Sequence, residues 1–355
     1  MAKKLFIPGP IDVSPDVLAK MSEPMIGHRG KDFSRLMMSA TGKLKKLMFT
    51  ENTVFLSTSS STGLMEGAVR NCVGKKCLNI GNGAFSDRWH EITTSNAREA
   101  DFLSLDWGKA VTPEMVDEKL STGEYDALTM VHNETSTGVT SPLYEIAEVV
   151  KNHDVSFIVD TVSSMAGTKV EVDKLGIDVC LFGVQKAMAL PPGLAVCSVS
   201  ERAMEKAKSL ENRGYYFDFI TFQKYLDREQ TPATPAISQL NALDYQLDKI
   251  LDKEGLENRY KRHEEMGSLT RDWAKKNFAL FPEEERYSSN TVTCVKNTRE
   301  VDCSDLKQKL ADKGYVFANG YGKIANKTFR IAHMGDRTVD ELKEYLSDID
   351  GVLGL

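Results

Sequence analysis

The residue with the most chemistry to offer stands in the stretch Asp178-Val-Cys-Leu-Phe-Gly-Val-Gln-Lys-Ala-Met-Ala-Leu-Pro-Pro-Gly193. An apolar run ends in Gln185 and Lys186 and then breaks on two prolines and a glycine, which predicts a buried strand that delivers one lysine to a loop. Ligands collect at the carboxyl ends of the strands in open α/β sheets, and a lysine partly withdrawn from water there loses some preference for its charged form. Such an amine can attack a carbonyl and form a Schiff base. Most lysines are simply solvated, so the reading depends on the neighbours.

Four other loops supply those neighbours. Val155-Ser-Phe-Ile-Val159 is an apolar run that terminates in Asp160, and Asp126 to His132 is another, ending in the polar loop Asn133-Glu-Thr-Ser-Thr-Gly138 with Thr135 inside it. Thr53 to Leu56 precedes Ser57-Thr-Ser-Ser-Ser-Thr-Gly63 and a helical pattern, so Ser60, Ser61 and Thr62 fall at a helix N-terminus, where free amides and hydroxyls suit a phosphate. After Cys77 to Ile80, Gly81-Asn-Gly83 turns the chain into a helix whose start carries Phe85, a flat face for a heteroaromatic ring. Further on, Arg330 lies within Thr-Phe-Arg-Ile-Ala-His333; an arginine inside an apolar strand must be paired or face a cleft, and its planar fork suits a carboxylate. His132 fits a hydrogen-bonded core position, and His28 and Arg29 an exposed loop.

Strands alternating with helices at this spacing predict a mostly parallel sheet wrapped in helices, and right-handed crossovers place successive strand ends on one rim. Thr135, Asp160, Lys186, Ser60 to Thr62 and Phe85 therefore converge from five loops. A hydroxyl, a buried carboxylate, an amine, a phosphate cradle and an aromatic plate are the groups needed to hold a phosphorylated pyridine aldehyde. The expected organisation is an N-terminal arm over 1–15, a large domain over 16–245, and a connector helix with a small C-terminal α+β domain over 246–355. The helical, charged stretch from Ile237 to about Asn277, interrupted near Gly255, marks the passage between the last two.

Composition narrows the function class. The chain has 355 residues, 41% of them hydrophobic and 27% charged, as expected for a soluble globular protein with room for a large core. A net charge of −6 opposes a nucleic-acid binder, which needs a basic stripe. The scattered cysteines (Cys72, Cys77, Cys180, Cys197, Cys294 and Cys303) show neither CxxC pairing nor zinc spacing and suit reduced thiols in the cytoplasm. The start of the chain breaks on Pro8-Gly9-Pro10 before a signal-peptide core forms, and no apolar run reaches membrane-spanning length. Gly81-Asn-Gly83 lacks the continuation of a dinucleotide fingerprint.

Taken in order, Pro8-Gly9-Pro10, His132-Asn-Glu-Thr-Ser-Thr-Gly138, Asp160-Thr-Val-Ser-Ser164, Gln185-Lys186 with Pro191-Pro-Gly193, and Phe329-Arg-Ile-Ala-His-Met-Gly335 resemble the class V aminotransferases of fold type I. The nearest likeness is to the alanine:glyoxylate and serine:pyruvate group. The resemblance implies pyridoxal 5'-phosphate (PLP) as cofactor, held as an internal aldimine on Lys186, which then moves a proton between substrate and cofactor. It implies that Asp160 pairs with the pyridinium nitrogen, that Val162 and Phe85 pack on the two faces of the ring, and that Thr135 bonds near the phenolic oxygen. Ser60, Ser61, Thr62 and Gln185 would hold the phosphate, with Thr231 or Thr234 reaching it from the other subunit of a homodimer. Arg330 would bind the α-carboxylate. The family usually has tryptophan, tyrosine or histidine where this chain has Phe85, and commonly glycines where it has Ser59 and Ser61.

The expected activity is transfer of an amino group from a small amino acid, alanine or serine, to a small 2-oxo acid, glyoxylate or pyruvate, by a ping-pong route. A phosphonate or phosphoserine aminotransferase is an alternative and would recruit a further cation such as Arg29. A cysteine desulfurase is disfavoured, because that family resembles His-Lys at the Schiff-base position and needs a mobile nucleophilic cysteine. A non-catalytic scaffold would have no use for Lys186, Asp160 and Arg330 together.

Overall fold

The computed structural model describes residues 3–355. Its centre is a seven-stranded sheet in the order Thr53–Ser57, Ala195–Val199, Val179–Gly183, Ser156–Asp160, Ala127–Val131, Lys76–Gly81, Glu99–Ser104. Every pairing is parallel except those of Ala195–Val199, which runs antiparallel between its two neighbours. The fold is thus α/β, a mostly parallel sheet flanked by helices. The strands over Ala127–Val131, Ser156–Asp160 and Val179–Gly183 are buried along their whole length. That is why their sequences show apolar runs without polar alternation.

Alternate residues serve opposite faces. Val54, Leu56, Cys180 and Phe182 pack with the helices Lys31–Met48, Leu143–Val150 and Ile237–Asp248, whereas Phe55, Val179, Leu181 and Cys197 pack with Ser61–Cys72 and Ala84–Ser95. Helix Lys31–Met48 buries Phe33, Met37, Ala40, Leu44 and Leu47, a stripe at three- and four-residue spacing. Lys43, at the edge of that stripe, reaches Asp244 (2.8 Å) and Asp248 (2.7 Å) and so ties two helices together.

A second, four-stranded sheet in the order Ala279–Leu280, Val292–Lys296, Thr328–Ala332, Ala318–Asn319 has its own core around Phe6, Trp273, Leu306, Leu310, Phe329 and Tyr345. Helix Leu256–Asn277 leads into it after a π-helical stretch, Lys249–Glu254, which accounts for the break at Gly255. The buried Arg259 on this helix donates to Ala166 O (3.0 Å) and Ala187 O (2.5 Å), and so pins the loop that follows Lys186. The start of the chain is held twice: Lys4–Leu5 pairs with Tyr315–Val316, and Ile11 N donates to Gln185 O (3.2 Å). A side chain at Gly9 would approach Lys186 Cγ to 3.0 Å, which explains a glycine in Pro8-Gly9-Pro10.

The strand Ala195–Val199 is not among the strands expected from the sequence. Its signal is the short apolar run after Pro191-Pro-Gly193, bounded by turn formers on one side and the N-cap Ser200 on the other.

Candidate functional site

All five expected loops leave the same rim. Asp160 is the last residue of its strand, Lys186 follows Val179–Gly183, Thr135 follows Ala127–Val131, Ser60 to Thr62 follow Thr53–Ser57, and Phe85 follows Lys76–Gly81. One cavity there is lined by Ser60, Ser61, Thr62, Phe85, Thr135, Asp160, Val162, Gln185 and Lys186.

Lys186 is buried, and its Nζ donates to Thr135 Oγ1 (2.8 Å) and Ser163 Oγ (2.6 Å), two hydroxyls that also contact each other. Its ammonium lies 5.2 Å from the centre of the Phe85 ring. Burial pushes the Lys186 amine below its usual range; Asp160 and Glu134 pull it back up, and the cations Arg330 and Arg88 press it further down. The Asp160 carboxyl is pushed up, again by burial first, against the opposing effect of the Val162 N–H (2.8 Å). Among the described residues no carboxylate oxygen comes within 4.0 Å of Lys186 Nζ, so these two groups share a cavity without forming a direct ion pair.

The phosphate end passes a test of fit. Helix Ser61–Cys72 begins at Ser60 without a side-chain cap, which leaves the amides of Ser61 and Thr62 open to an anion. Ser61 Oγ is buried and has no hydrogen-bond partner. A Cβ at Gly183 would fall 2.5 Å from Ser61 Oγ and 2.4 Å from Gln185 Oε1, so only glycine lets these two side chains share the cradle. An orphaned hydroxyl, an uncapped helix and an amide side by side are what a bound phosphate would satisfy.

Arg330 sits at the edge of this cavity and does not line it. Its Nε donates to Asn319 O (3.2 Å) and its Nη1 to Thr135 O (3.4 Å). Neither partner is charged, and among the described residues it forms no ion pair. The alternative of a structural ion pair is therefore not met. Thr231 and Thr234 lie apart, in a groove lined also by Thr58, Tyr215 and Tyr216. The Thr231 hydroxyl is spent on Ala233 O (2.8 Å), whereas Thr234 is exposed. Arg29 is committed to Gln230 Oε1 (3.1 Å) and Thr231 O (2.7 Å) and is absent from the cavity around Lys186. His132 is buried, bonded to Ser164 Oγ and kept neutral by burial, which pushes it down to about 4.

Four residues of the site escaped the sequence reading. Ser163 holds Lys186 directly. Arg88 lines the cavity with its guanidinium 5.0 Å from the Phe85 ring centre; the signal was its position one turn beyond Phe85 on the same helix face. Glu134, fully buried, accepts from Phe85 N, Ser86 N, Ser86 Oγ, Ser136 N and Ser136 Oγ, and so fixes the start of helix Ala84–Ser95. Tyr321 places its ring 5.6 Å from that of Phe85 and 5.4 Å from the Arg330 guanidinium.

Comparison with known proteins agrees with this geometry. The chain is 44% identical to an uncharacterised aminotransferase of Methanocaldococcus jannaschii over 94% of its length and 88% of the relative's. It is 32% identical to the serine–glyoxylate aminotransferase of Arabidopsis thaliana over 98% of its length and 90% of the relative's. Among solved structures, the alanine–glyoxylate aminotransferase of Nostoc superposes with a TM-score of 0.93 at 26% identity, covering 99% of this chain and 96% of that one. The family model described as aminotransferase class-V matches residues 17–328, and the chain accordingly belongs to the class-V aminotransferases, PLP-dependent enzymes.

Proposed function

We propose that this aminotransferase carries the amino group of a small amino acid, alanine or serine, to a small 2-oxo acid, glyoxylate or pyruvate, in two half-reactions at one site. The observation that carries the substrate reading is Arg330, a guanidinium beside Thr135 with no anionic partner among the described residues. A charged fork left without a counter-ion at the mouth of a cofactor cavity is suited to a carboxylate brought by the substrate.

When bound, PLP supplies an electron sink for the pair left as a Cα–H bond breaks. Lys186 would hold the cofactor and, once released from it, accept the Cα proton at Nζ; burial favours the neutral amine needed for both tasks. Asp160 would keep the ring nitrogen protonated. Ser60, Ser61, Thr62 and Gln185 would hold the phosphate, Phe85 and Val162 the ring faces, and Thr135 the phenolic oxygen. The charge around the cavity suits this load: Lys186, Arg88 and Arg330 face Asp160 and Glu134. A homodimer is part of the proposal, supported by the exposed apolar Met25, Leu18, Tyr215 and Tyr216, with Thr234 as the hydroxyl free to reach a partner's phosphate. A cytoplasmic location is supported by six buried free cysteines, and among the described residues no helix is long and apolar enough to cross a membrane.

The rival readings lose support. A desulfurase needs a thiolate that reaches the substrate, but Cys294 is buried and pushed up to about 12, and Cys303 is buried as well. A phosphonate or phosphoserine substrate would need a second cation; Arg29 is otherwise engaged, and the Arg88 guanidinium already packs over the Phe85 ring.

The test is to mix PLP-loaded protein with a panel of amino acids and follow its visible absorption. Loss of the lysine-bound band with alanine or serine, and borohydride fixation at Lys186 found by peptide mass, is the expected result. A band that no amino acid changes would end the proposal. Arg330→Ala should raise KM for every amino donor by about 100-fold, the scale of a lost charge-assisted pair.

A further inference from the structure

The segment Asn319–Asn326 is a short, stapled flap. Asn319 Nδ2 donates to Asn326 Oδ1 (2.7 Å), and Asn319 Oδ1 accepts from Asn326 N (2.9 Å) and Gly320 N (2.7 Å). Gly320 passes so close to Thr328 that a Cβ would lie 2.4 Å from its Oγ1, and Gly322 has a φ of +54°; these two glycines leave Tyr321 as the one bulky side chain at the bend. The flap touches Arg330, Phe85 and Trp107. Asn319 O accepts from Arg330 Nε, Tyr321 bridges Arg330 and Phe85, and Lys323 lies 4.4 Å from the Trp107 ring centre on the far side. The bonds between Asn319 and Asn326 fix the backbone that carries Tyr321.

Given the reading that Arg330 receives the α-carboxylate, the four substituents of the substrate α-carbon can be assigned. The carboxylate goes to Arg330, the amino group to the cofactor, and the hydrogen to Lys186. The side chain is left to the side of the cavity that the Tyr321 ring closes, where it stands against Phe85 and beside Arg330. We propose that Tyr321 is the wall that limits that side chain to about the size of a methyl or hydroxymethyl group, and so sets the small-substrate class of the enzyme. The ring lies against Phe85 and beside the Arg330 guanidinium and so leaves no gap between them, and at 36% exposure it sits outside the packed core.

The experiment measures kcat/KM of the PLP-loaded enzyme for alanine, serine, 2-aminobutyrate, norvaline and leucine, in wild type, Tyr321→Phe, Tyr321→Leu and Tyr321→Ala, with PLP affinity measured separately by absorbance titration. Tyr321→Ala should raise the norvaline-to-alanine ratio of kcat/KM at least about tenfold, the scale of one methylene in an apolar pocket. Tyr321→Leu should give a smaller rise, Tyr321→Phe should keep the wild-type profile, and PLP affinity should be unchanged in all. A ratio within twofold of wild type in Tyr321→Ala, or a shift in Tyr321→Phe as large as that in Tyr321→Ala, overturns the proposal. Should the alanine variant not fold, Tyr321→Leu decides by the same criterion. Failure of the underlying reading looks different: wild type would then react with none of the amino acids, or Arg330→Ala would leave KM unchanged.

Discussion

At the scale of single residues, the site is governed by how burial treats two opposite charges. Lys186 and Asp160 are both withdrawn from water, and burial moves each toward its neutral form, the lysine downward and the aspartate upward. For a lysine, a lowered value means that the attacking free amine grows in as pH rises, earlier than for a solvated lysine. The rate of PLP capture by cofactor-free protein, followed by absorbance in a stopped-flow mixer, should therefore rise with pH through a midpoint well below 10.5, the ordinary lysine value. A midpoint at or above that value would show that Lys186 is not buried as described. Asp160 sharpens the test, because its negative charge holds Lys186 up. Asp160→Asn should move the capture midpoint lower still, and at saturating PLP should cut turnover by about 100- to 1,000-fold, the range for loss of one preorganised electrostatic group.

At the scale of elements, the geometry depends on how each loop is held to its neighbour. Glu134 shows this best: a fully buried carboxylate gathers donors from the start of helix Ala84–Ser95 and from Ser136, so the plate Phe85 is aimed by a loop fifty residues away in the chain. Glu134→Ala would strand those donors, and urea unfolding should show a loss of about 3 kcal/mol, with weaker PLP binding. Glu134→Gln, which keeps one acceptor, should lose less; equal losses would mean that the cavity matters and the bonds do not. The same contrast explains what could be read from sequence. Apolar runs ending in Asp160 and Lys186 announce themselves, because a strand buried on both faces cannot hide its composition, and the parallel rim follows from chain geometry. Glu134, Ser163 and Tyr321 carry no such mark, since their roles lie in contacts that only packing creates. The strand Ala195–Val199 is as long and as buried as its legible neighbours; it was missed because no helix precedes it to set the strand–helix rhythm, and it enters the sheet against the direction of the rest.

At the scale of the whole molecule, the packing that neutralises Lys186 also neutralises histidines, and this sets how the fold responds to acid. His132, His263 and His333 are all buried, and burial pushes His132 down to about 4, His333 to about 3 and His263 well below its usual value. Each is tied to a neutral neighbour: Ser164, the Arg259 carbonyl with Gly335 N, and Thr293. In the unfolded chain these rings titrate near 6.5, so between that value and the folded ones the unfolded state binds protons that the native state refuses. Stability must then fall as pH drops below about 6.5, by up to about 1.4 kcal/mol per pH unit for each histidine fully in its window. Asp160 and Asp87 act in the opposite sense, because their raised values let the native state hold protons that the unfolded state lacks, but they are two groups against three. Urea unfolding of the cofactor-free protein should therefore show a midpoint that is level from pH 8 to 7 and declines steadily from pH 6.5 to 5. His132→Gln, which removes one titrating ring, should flatten that decline by roughly a third, even if the variant starts from a lower midpoint. A wild-type midpoint that stays level to pH 5 would mean that the three rings are open to water, and with them the packing against Arg259 and Ser164 that holds the lysine and aspartate loops in register.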